Sequence, residues 1–296
     1  MDLRMSREMK KKNTEEALRK MMKTCVKRPD LMVNEAIVKF CSTSSSDALE
    51  QHLSKTKEQS HPVDDWLKDL AEKLADLSGS VKLAGLGALA FAIFIDIISS
   101  SESTKEALRC VFAEEKASEV WDQIDECLKR CMMHTNDDAE LINNIRRIQH
   151  QLSAALTKLK NSMMRDGQMS SRALRAWVNG AAFHIQVRIH LVRLGGLQTC
   201  GPVETLISVY ECDLELLFEK HKMENKYDLD MERFKKFISE EGSSTAIAVA
   251  LFPLSERLKI YYEENYDSQK KQIKQHFSKV REDLPQLVSQ RAHLSV

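Results

Sequence analysis

The sequence predicts an all-α protein: an elongated bundle of long antiparallel amphipathic helices around one central apolar Gly/Ala-rich helix. Three observations support this class. The 296 residues include only nine Gly and five Pro, a composition that is poor in turns and favours helices. Apolar side chains recur at helical spacing along most of the chain. The Asp166-Gly167 pair lies between two helical patterns, and no segment alternates convincingly as a strand.

The N-terminal part of the chain is basic. Residues 1–28 carry ten Lys/Arg against four Asp/Glu, a local net charge of +6, and a shorter helical stretch is expected over residues 30–40. The sequence 41–47 is rich in Ser and forms a linker. We therefore predict a basic helical segment with its linker over residues 1–45 and a helical bundle domain over residues 46–296. A solvated, frayed helix is the favoured interpretation of the basic segment, over an electrostatic contact with acidic lipid or protein.

The middle of the chain is predicted to hold three helices and the apolar segment described below. One begins at Pro62, whose missing N–H falls in the first turn, and ends at Gly79. Two longer helices follow from residue 103, and the short connection over residues 134–138 predicts that they form a hairpin packed like a coiled coil. Their heptad seams are Ala117, Trp121, Ile124, Leu128 and Cys131 in the first, and Leu141, Ile145, Ile148, Leu152, Ala155 and Leu159 in the second.

The last third of the chain predicts further helices. One runs from Ser170 or Ser171 to Gly195-Gly196, and the next begins at Pro202. A short polar helix over residues 228–240, an apolar stretch over residues 246–254 and a final helix ended by Pro285 complete the order. The apolar positions expected on the Pro202 helix are Leu206, Val209, Tyr210, Leu214 and Leu217.

Composition limits the classes of partner and the compartment. Lys+Arg and Asp+Glu are both 44, so the formal net charge is zero and no nucleic-acid partner is expected. The seven cysteines have no framework spacing, which favours reduced thiols. The first residues lack the apolar core of a signal peptide, so we expect a cytoplasmic protein, with membrane association as an open alternative.

Candidate ligand and catalytic sites are weak. The sequence 85–90 matches the G-x-G-x-x-A dinucleotide pattern but lacks the flanking strands that such a site needs. Cys127, Cys131 and His134 share a helical face, but structural zinc requires four ligands. His184 and His190 do not share a face, and no catalytic order of Ser or Cys with His and Asp stands out. We therefore expect no enzyme, no catalytic residue, no metal and no cofactor.

A basic stripe lies near Trp177 on the helix that follows Ser171. It consists of Arg172, Arg175, Arg188 and Arg193. Because aromatic side chains are sparse there, a solvated helix face is favoured over a nucleic-acid site.

The most informative feature is an apolar segment that contains no charge from Leu83 to Ile95. As a helix it is about 20 Å long, whereas the hydrocarbon core of a bilayer is about 30 Å thick. Ala84, Ala88 and Ala92 form a stripe of small residues that Asp96 continues, which suits close packing between helices. A buried helix of a soluble protein, conditional membrane insertion and a permanent span all remain open. The predicted packing residues are Leu83, Ala84, Leu86, Ala88, Leu89, Phe91, Ala92, Ile93, Phe94, Ile95, Asp96, Ile97 and Ile98.

The order of these segments resembles the order found in two groups of helical proteins. An amphipathic helix over residues 66–77, the apolar segment and a long helix over residues 103–133 together resemble the layout of α-helical pore-forming proteins. The same order, with the sequence Trp177-Val-Asn-Gly-Ala-Ala-Phe-His-Ile-Gln, is similar to the rapunzel-type helical proteins of bony fishes. The resemblance covers residues 60–285 and implies a helical, non-enzymatic protein with membrane contact.

These observations predict a non-enzymatic helical protein that conditionally associates with membranes or with partner helices through residues 83–98. The alternative is a soluble coiled-coil scaffold or regulatory protein in which this segment is a buried core helix. The expected partners are membrane lipid, a second copy of the chain or another helical protein.

Overall fold

A computed structural model describes residues 7–26, 28–33, 38, 138–193, 195, 197–224 and 231–289. This part of the chain is predominantly helical and contains no strand, which confirms the all-α class. Its helices are α1 (Arg7–Thr24), α2 (Asp138–Arg165), α3 (Ser171–Arg193), α4 (Gly201–Glu224), α5 (Met231–Glu241), α6 (Ser243–Ala250), α7 (Leu254–Tyr262), a π-helical turn (Glu263–Asp267) and α8 (Ser268–Ser289).

Several predicted features lie outside the described residues. They include the apolar segment over residues 83–98, the helix predicted from Pro62, the first heptad helix with its Cys127, Cys131 and His134, and the domain boundary at residue 45. These remain predictions.

The chain forms two compact units. The first contains residues 1–30 and 221–272, and the second contains residues 31–220 and 273–296. The first unit therefore joins segments that are far apart in sequence, and its packing cannot be formed by local contacts alone.

In the first unit, α1 packs against α5, α6, α7 and the π-helical turn. Leu18 and Met22 of α1 are completely buried, and Cys25 after its end is buried with them. The interpretation of the basic segment as a solvated, frayed helix is therefore wrong for the described residues. Leu18, Met22 and Cys25 recur at helical spacing and form one apolar face, which the many lysines of α1 obscure in the sequence.

The π-helical turn binds α1 within this unit through side-chain hydrogen bonds. Arg19 donates from Nη1 to Glu264 Oε1 at 2.9 Å and from Nη2 to Glu263 Oε2 at 3.1 Å. Asn265 Nδ2 donates to the carbonyl oxygen of Met22 at 3.4 Å. A π-helical turn inserts one residue into an α-helix, so three consecutive side chains of this turn reach α1.

In the second unit, α2 and α3 pack along each other. Leu152, Ala155 and Leu159 are buried, as the second heptad seam predicts. α3 is covered on nearly all sides, since 17 of its 23 residues are buried. Its N-terminus is capped by Ser170, whose Oγ accepts the Ala173 N–H at 3.0 Å, and the chain turns at Gly195 with a φ of 75°.

The helix expected over residues 30–40 does not begin at Asp30. The described residues 28–33 are not helical, and Leu31 and Val33 are buried while Met32 between them is only partly covered. The carbonyl oxygen of Met32 accepts a hydrogen bond from Asn179 Nδ2 of α3 at 3.3 Å. Tertiary contacts of this extended segment therefore replace the predicted helical bonds.

The buried face of α4 differs from the predicted one. It consists of Val203, Ile207, Tyr210, Leu214, Leu217 and Phe218. Val209 was expected on this face but is 47% exposed, and Leu206 is only partly covered. The sequence of α4 is apolar on more than one side, so several faces satisfy helical spacing and packing selects among them.

The two Pro residues in the C-terminal part act differently from each other. Pro253 divides the apolar stretch 246–254, because α6 ends before it and α7 begins after it. Pro285 was expected to end the final helix, but it lies inside α8, which continues to Ser289. Leu284 and Leu287 on either side of Pro285 are completely buried, and this burial offsets the lost backbone hydrogen bond.

Candidate functional site

A buried polar network connects three helices of the second unit. Gln149 of α2 donates from Nε2 to His184 Nε2 of α3 at 3.0 Å, which leaves the ring proton on Nδ1. His184 Nδ1 therefore donates to the Tyr210 hydroxyl of α4, at 2.5 Å. Trp177 lies edge-on to the Tyr210 ring, with centroids 5.5 Å apart. Both ring nitrogens of His184 are thus occupied by hydrogen bonds.

Burial keeps this histidine neutral. It lowers the pKa of His184 to about 3, with further lowering by the charges of Arg188 and His150. Burial also raises the pKa of the Tyr210 hydroxyl, and the Asp213 carboxylate adds to this effect. A neutral imidazole with both nitrogens bonded is neither a ready base nor a metal ligand, so the network holds α2, α3 and α4 in register.

The first unit contains an aromatic cluster around His221. Its Nδ1 lies 3.2 Å from the Tyr262 hydroxyl, and its ring stacks edge-on to Tyr266 at 4.9 Å between centroids. The hydroxyls of Tyr261 and Tyr266 are 3.0 Å apart. Burial lowers the pKa of His221 to about 4. These polar groups are satisfied by one another, which is typical of a core.

An open cleft of about 950 Å³ separates α1 from α6 in the first unit. Lys20 of α1 pairs with Glu241, which also lines the cleft. The lining residues are Lys10, Asn13, Thr14, Glu16, Ala17, Lys20, Glu241, Ser244, Thr245 and Ala248. Polar side chains thus dominate the cleft, and its cationic groups are the lysines of α1.

An apolar surface lies on α6, on the turn after it and on the first residue of α7. Ile247 is 59% exposed, Leu251 is 79% exposed and Leu254 is 59% exposed, and we call these three residues the apolar ridge. Leu251 donates its N–H to the Ile247 carbonyl at 3.0 Å, so the two side chains lie one helical turn apart on the same face. Met9 and Met223 are the other exposed large apolar side chains that the described residues of the first unit show.

Comparison of the chain with family models, curated proteins and solved structures finds no match.

The predicted packing residues of the segment 83–98 lie outside the described residues, as does the sequence 85–90. Within the part of the chain that the structure describes, no cluster of three or more His, Cys, Asp or Glu side chains is arranged to hold a metal ion. None of the described helices combines the length and apolar composition needed to cross a bilayer.

The four arginines predicted to share a solvated face do not do so. Arg172 is exposed, but Arg193 is buried and donates from Nε to the Leu287 carbonyl at 2.6 Å. Arg188 is half-buried, and burial lowers its pKa. Trp177 is covered by the core, so it offers no stacking surface beside these groups.

The apolar ridge was not predicted from the sequence. A usable signal was present, because the sequence 242–255 contains no charged residue. The stretch 246–254 is apolar in the sequence, but an eight-residue helix is too short for the sequence to indicate which of its sides face solvent.

Proposed function

We propose that this chain is a non-enzymatic helical protein that conditionally associates with membranes through the apolar segment 83–98. The observation that carries the proposal is the absence of any charge from Leu83 to Ile95 in a chain that is 30% charged. A cytoplasmic location and the layout of α-helical pore-forming proteins belong to the same proposal.

The length and shape of the segment limit how it can associate with a membrane. A thirteen-residue helix is about 20 Å long and cannot cross a bilayer alone, so it inserts only partly or packs against other helices. The small residues Ala84, Ala88 and Ala92 permit close contact with a neighbouring helix. Asp96 continues this stripe, and its carboxylate is more favourably placed toward a partner or water than toward lipid.

The described helices support a shielded position for the segment in the absence of a membrane. The buried seam of α2 and the buried faces of α3 agree with an amphipathic bundle that can cover an apolar helix. In this proposal the segment 83–98 is the central Gly/Ala-rich helix of an elongated antiparallel bundle.

A soluble coiled-coil scaffold is the second candidate, because α4 presents exposed apolar side chains at heptad spacing. Val209 is 47% exposed and Leu216, seven residues later, is 56% exposed, with the exposed Cys212 between them. Such a stripe fits a partner helix, either from another protein or from a second copy of the chain.

Liposome flotation of the full chain tests the first candidate. We expect the wild-type protein to float with vesicles and to resist release by high salt, whereas Ile93→Asp loses this salt-resistant fraction because a charge enters the apolar segment. Val209→Asp is the matched control, since it adds the same charge at an exposed position and should float like the wild type.

Two results would contradict membrane association. One is that wild type and Ile93→Asp both stay folded and neither floats with any lipid composition or pH. The other is that Ile93→Asp unfolds the chain while the wild type never binds vesicles, which supports a buried core helix.

A further inference from the structure

The apolar ridge lies beside the basic end of α1. Lys10 and Ala248 line the same cleft, and Ala248 directly follows Ile247 of the ridge. Lys11 Nζ lies 3.7 Å from Glu256 Oε2, only two residues beyond Leu254. The consecutive residues Lys10, Lys11 and Lys12, which we call the lysine cluster, therefore border the ridge within the first unit.

The lysine cluster retains positive charge that the described residues do not neutralise. Lys10 and Lys12 are exposed, and among the described residues neither forms an ion pair. Of the acidic groups near the cluster, Glu241 pairs with Lys20 and Glu256 with Lys11, while Glu16 of α1 is exposed.

Exposed aliphatic side chains next to lysines match the chemistry of a membrane interface. The aliphatic groups enter the boundary between headgroups and acyl chains, while the ammonium groups contact anionic headgroups. A second copy of the chain is a poorer occupant, because the exposed Lys10 and Lys12 of two such surfaces repel each other.

We propose that the apolar ridge and the lysine cluster form a peripheral docking surface for membranes that contain anionic phospholipids. This surface does not require insertion of the segment 83–98. It attaches the first unit to the bilayer surface by a contact that salt weakens.

Sedimentation of the full chain with vesicles tests this surface. Vesicles of phosphatidylcholine alone are compared with vesicles containing phosphatidylserine, over a range of NaCl concentrations. Binding should be strongest with phosphatidylserine at low salt and should fall as screening increases.

Two double variants separate the apolar and ionic contributions. Ile247→Ser with Leu251→Ser should weaken binding about tenfold or more, because two aliphatic side chains no longer enter the interface. Lys10→Glu with Lys12→Glu should weaken binding to phosphatidylserine vesicles by at least about thirtyfold and remove the preference for them. All four positions are exposed, so folding should be retained and is checked by circular dichroism.

Matched controls change the same residue types elsewhere. Val209→Ser with Leu216→Ser removes two exposed aliphatic groups from α4, and Lys158→Glu with Lys279→Glu reverses two exposed charges. Both controls should bind within about twofold of the wild type, because peripheral binding depends on the charges and apolar groups at the bilayer surface.

The outcomes distinguish this surface from the proposed function. Ile93→Asp should keep salt-sensitive binding while losing salt-resistant flotation, so either proposal can fail without the other. Equal binding to both lipid compositions, or wild-type binding by both surface variants, overturns the docking surface. So does a dimer in light scattering that Leu251→Ser dissociates, since a second copy then covers the ridge.

Discussion

His184 shows how a single polar side chain can fix the relative register of three helices. Its two ring nitrogens are bonded to Gln149 and Tyr210, which lie on different helices. A buried polar group with all its partners costs little, but removal of one member leaves the others without a bond. The role of His184 is therefore structural, because its hydrogen bonds hold the three helices in register.

We predict that His184→Ala destabilises the protein by about 2–4 kcal/mol, because it creates a cavity and strands two buried polar groups. Tyr210→Phe should cost about 1 kcal/mol, since it removes the hydroxyl and keeps the ring. Urea unfolding measures both effects. His150→Ala, at an exposed position of α2, serves as the control and should change stability by less than about 0.5 kcal/mol. An equal effect of His184→Ala and His150→Ala would contradict the structural role.

At the scale of the element, the π-helical turn is the part that holds α1. Its Glu264 carboxylate is partly buried, and although burial opposes ionisation, hydrogen bonds from Arg19 and Lys23 lower its pKa. Arg19 is the central cation, because it bonds to Glu15, Glu263 and Glu264 together.

We predict that Arg19→Ala loosens α1 and costs about 1 kcal/mol, a modest value because the Arg19 side chain is 36% exposed and its ion pairs are screened. Hydrogen exchange at the amides of Leu18 and Met22 should become faster. Lys12→Ala, on the same helix and without an ion pair among the described residues, should leave the exchange unchanged. Unaltered protection in Arg19→Ala would show that apolar burial alone holds α1.

The elements differ in how well the sequence predicts them. Both ends of α3 were predicted, because a Ser cap and a Gly turn are local signals that act regardless of what surrounds the helix. The continuation of α8 past Pro285 was not, since it depends on the burial of Leu284 and Leu287 by distant parts of the chain. The exposure of Val209 has the same origin, because packing selects one face of α4.

The docking surface formed by the apolar ridge and the lysine cluster is likewise predictable only in part from the sequence. That residues 242–255 lack charge is visible in the sequence, and so is the positive charge of α1. Their proximity is not visible, because more than 200 residues separate Lys11 from Glu256 and no periodic pattern encodes such a contact. The segment 83–98 is a prediction from composition.

At the scale of the whole molecule, buried and half-buried histidines are distributed over both units. Burial lowers the pKa of His184 to about 3, that of His221 to about 4 and that of His276 to about 4, and it lowers that of His190 well below its ordinary value of 6.5. His221 belongs to the first unit and the other three to the second. Acidification is therefore expected to destabilise both units.

We predict that stability is constant above about pH 6.5 and decreases as the pH falls from there toward 3. In this window the unfolded chain binds protons that the folded histidines exclude, so protonation favours unfolding. At pH 5 each histidine with a folded pKa of 3 to 4 contributes a loss of about 2 kcal/mol. Thermal melts at pH 7.5 and pH 5.0 measure this, and equal melting temperatures would contradict it.

The assembly of the first unit from residues 1–30 and 221–272 has a consequence for biosynthesis. The apolar face of α1 emerges from the ribosome early, but its partners on α5, α6 and α7 are synthesised more than 200 residues later. At about 5–20 residues per second this interval lasts about 12–50 s, far longer than a helix needs to form. Throughout that time Leu18 and Met22 of the nascent chain therefore lack the helices that bury them in the folded protein.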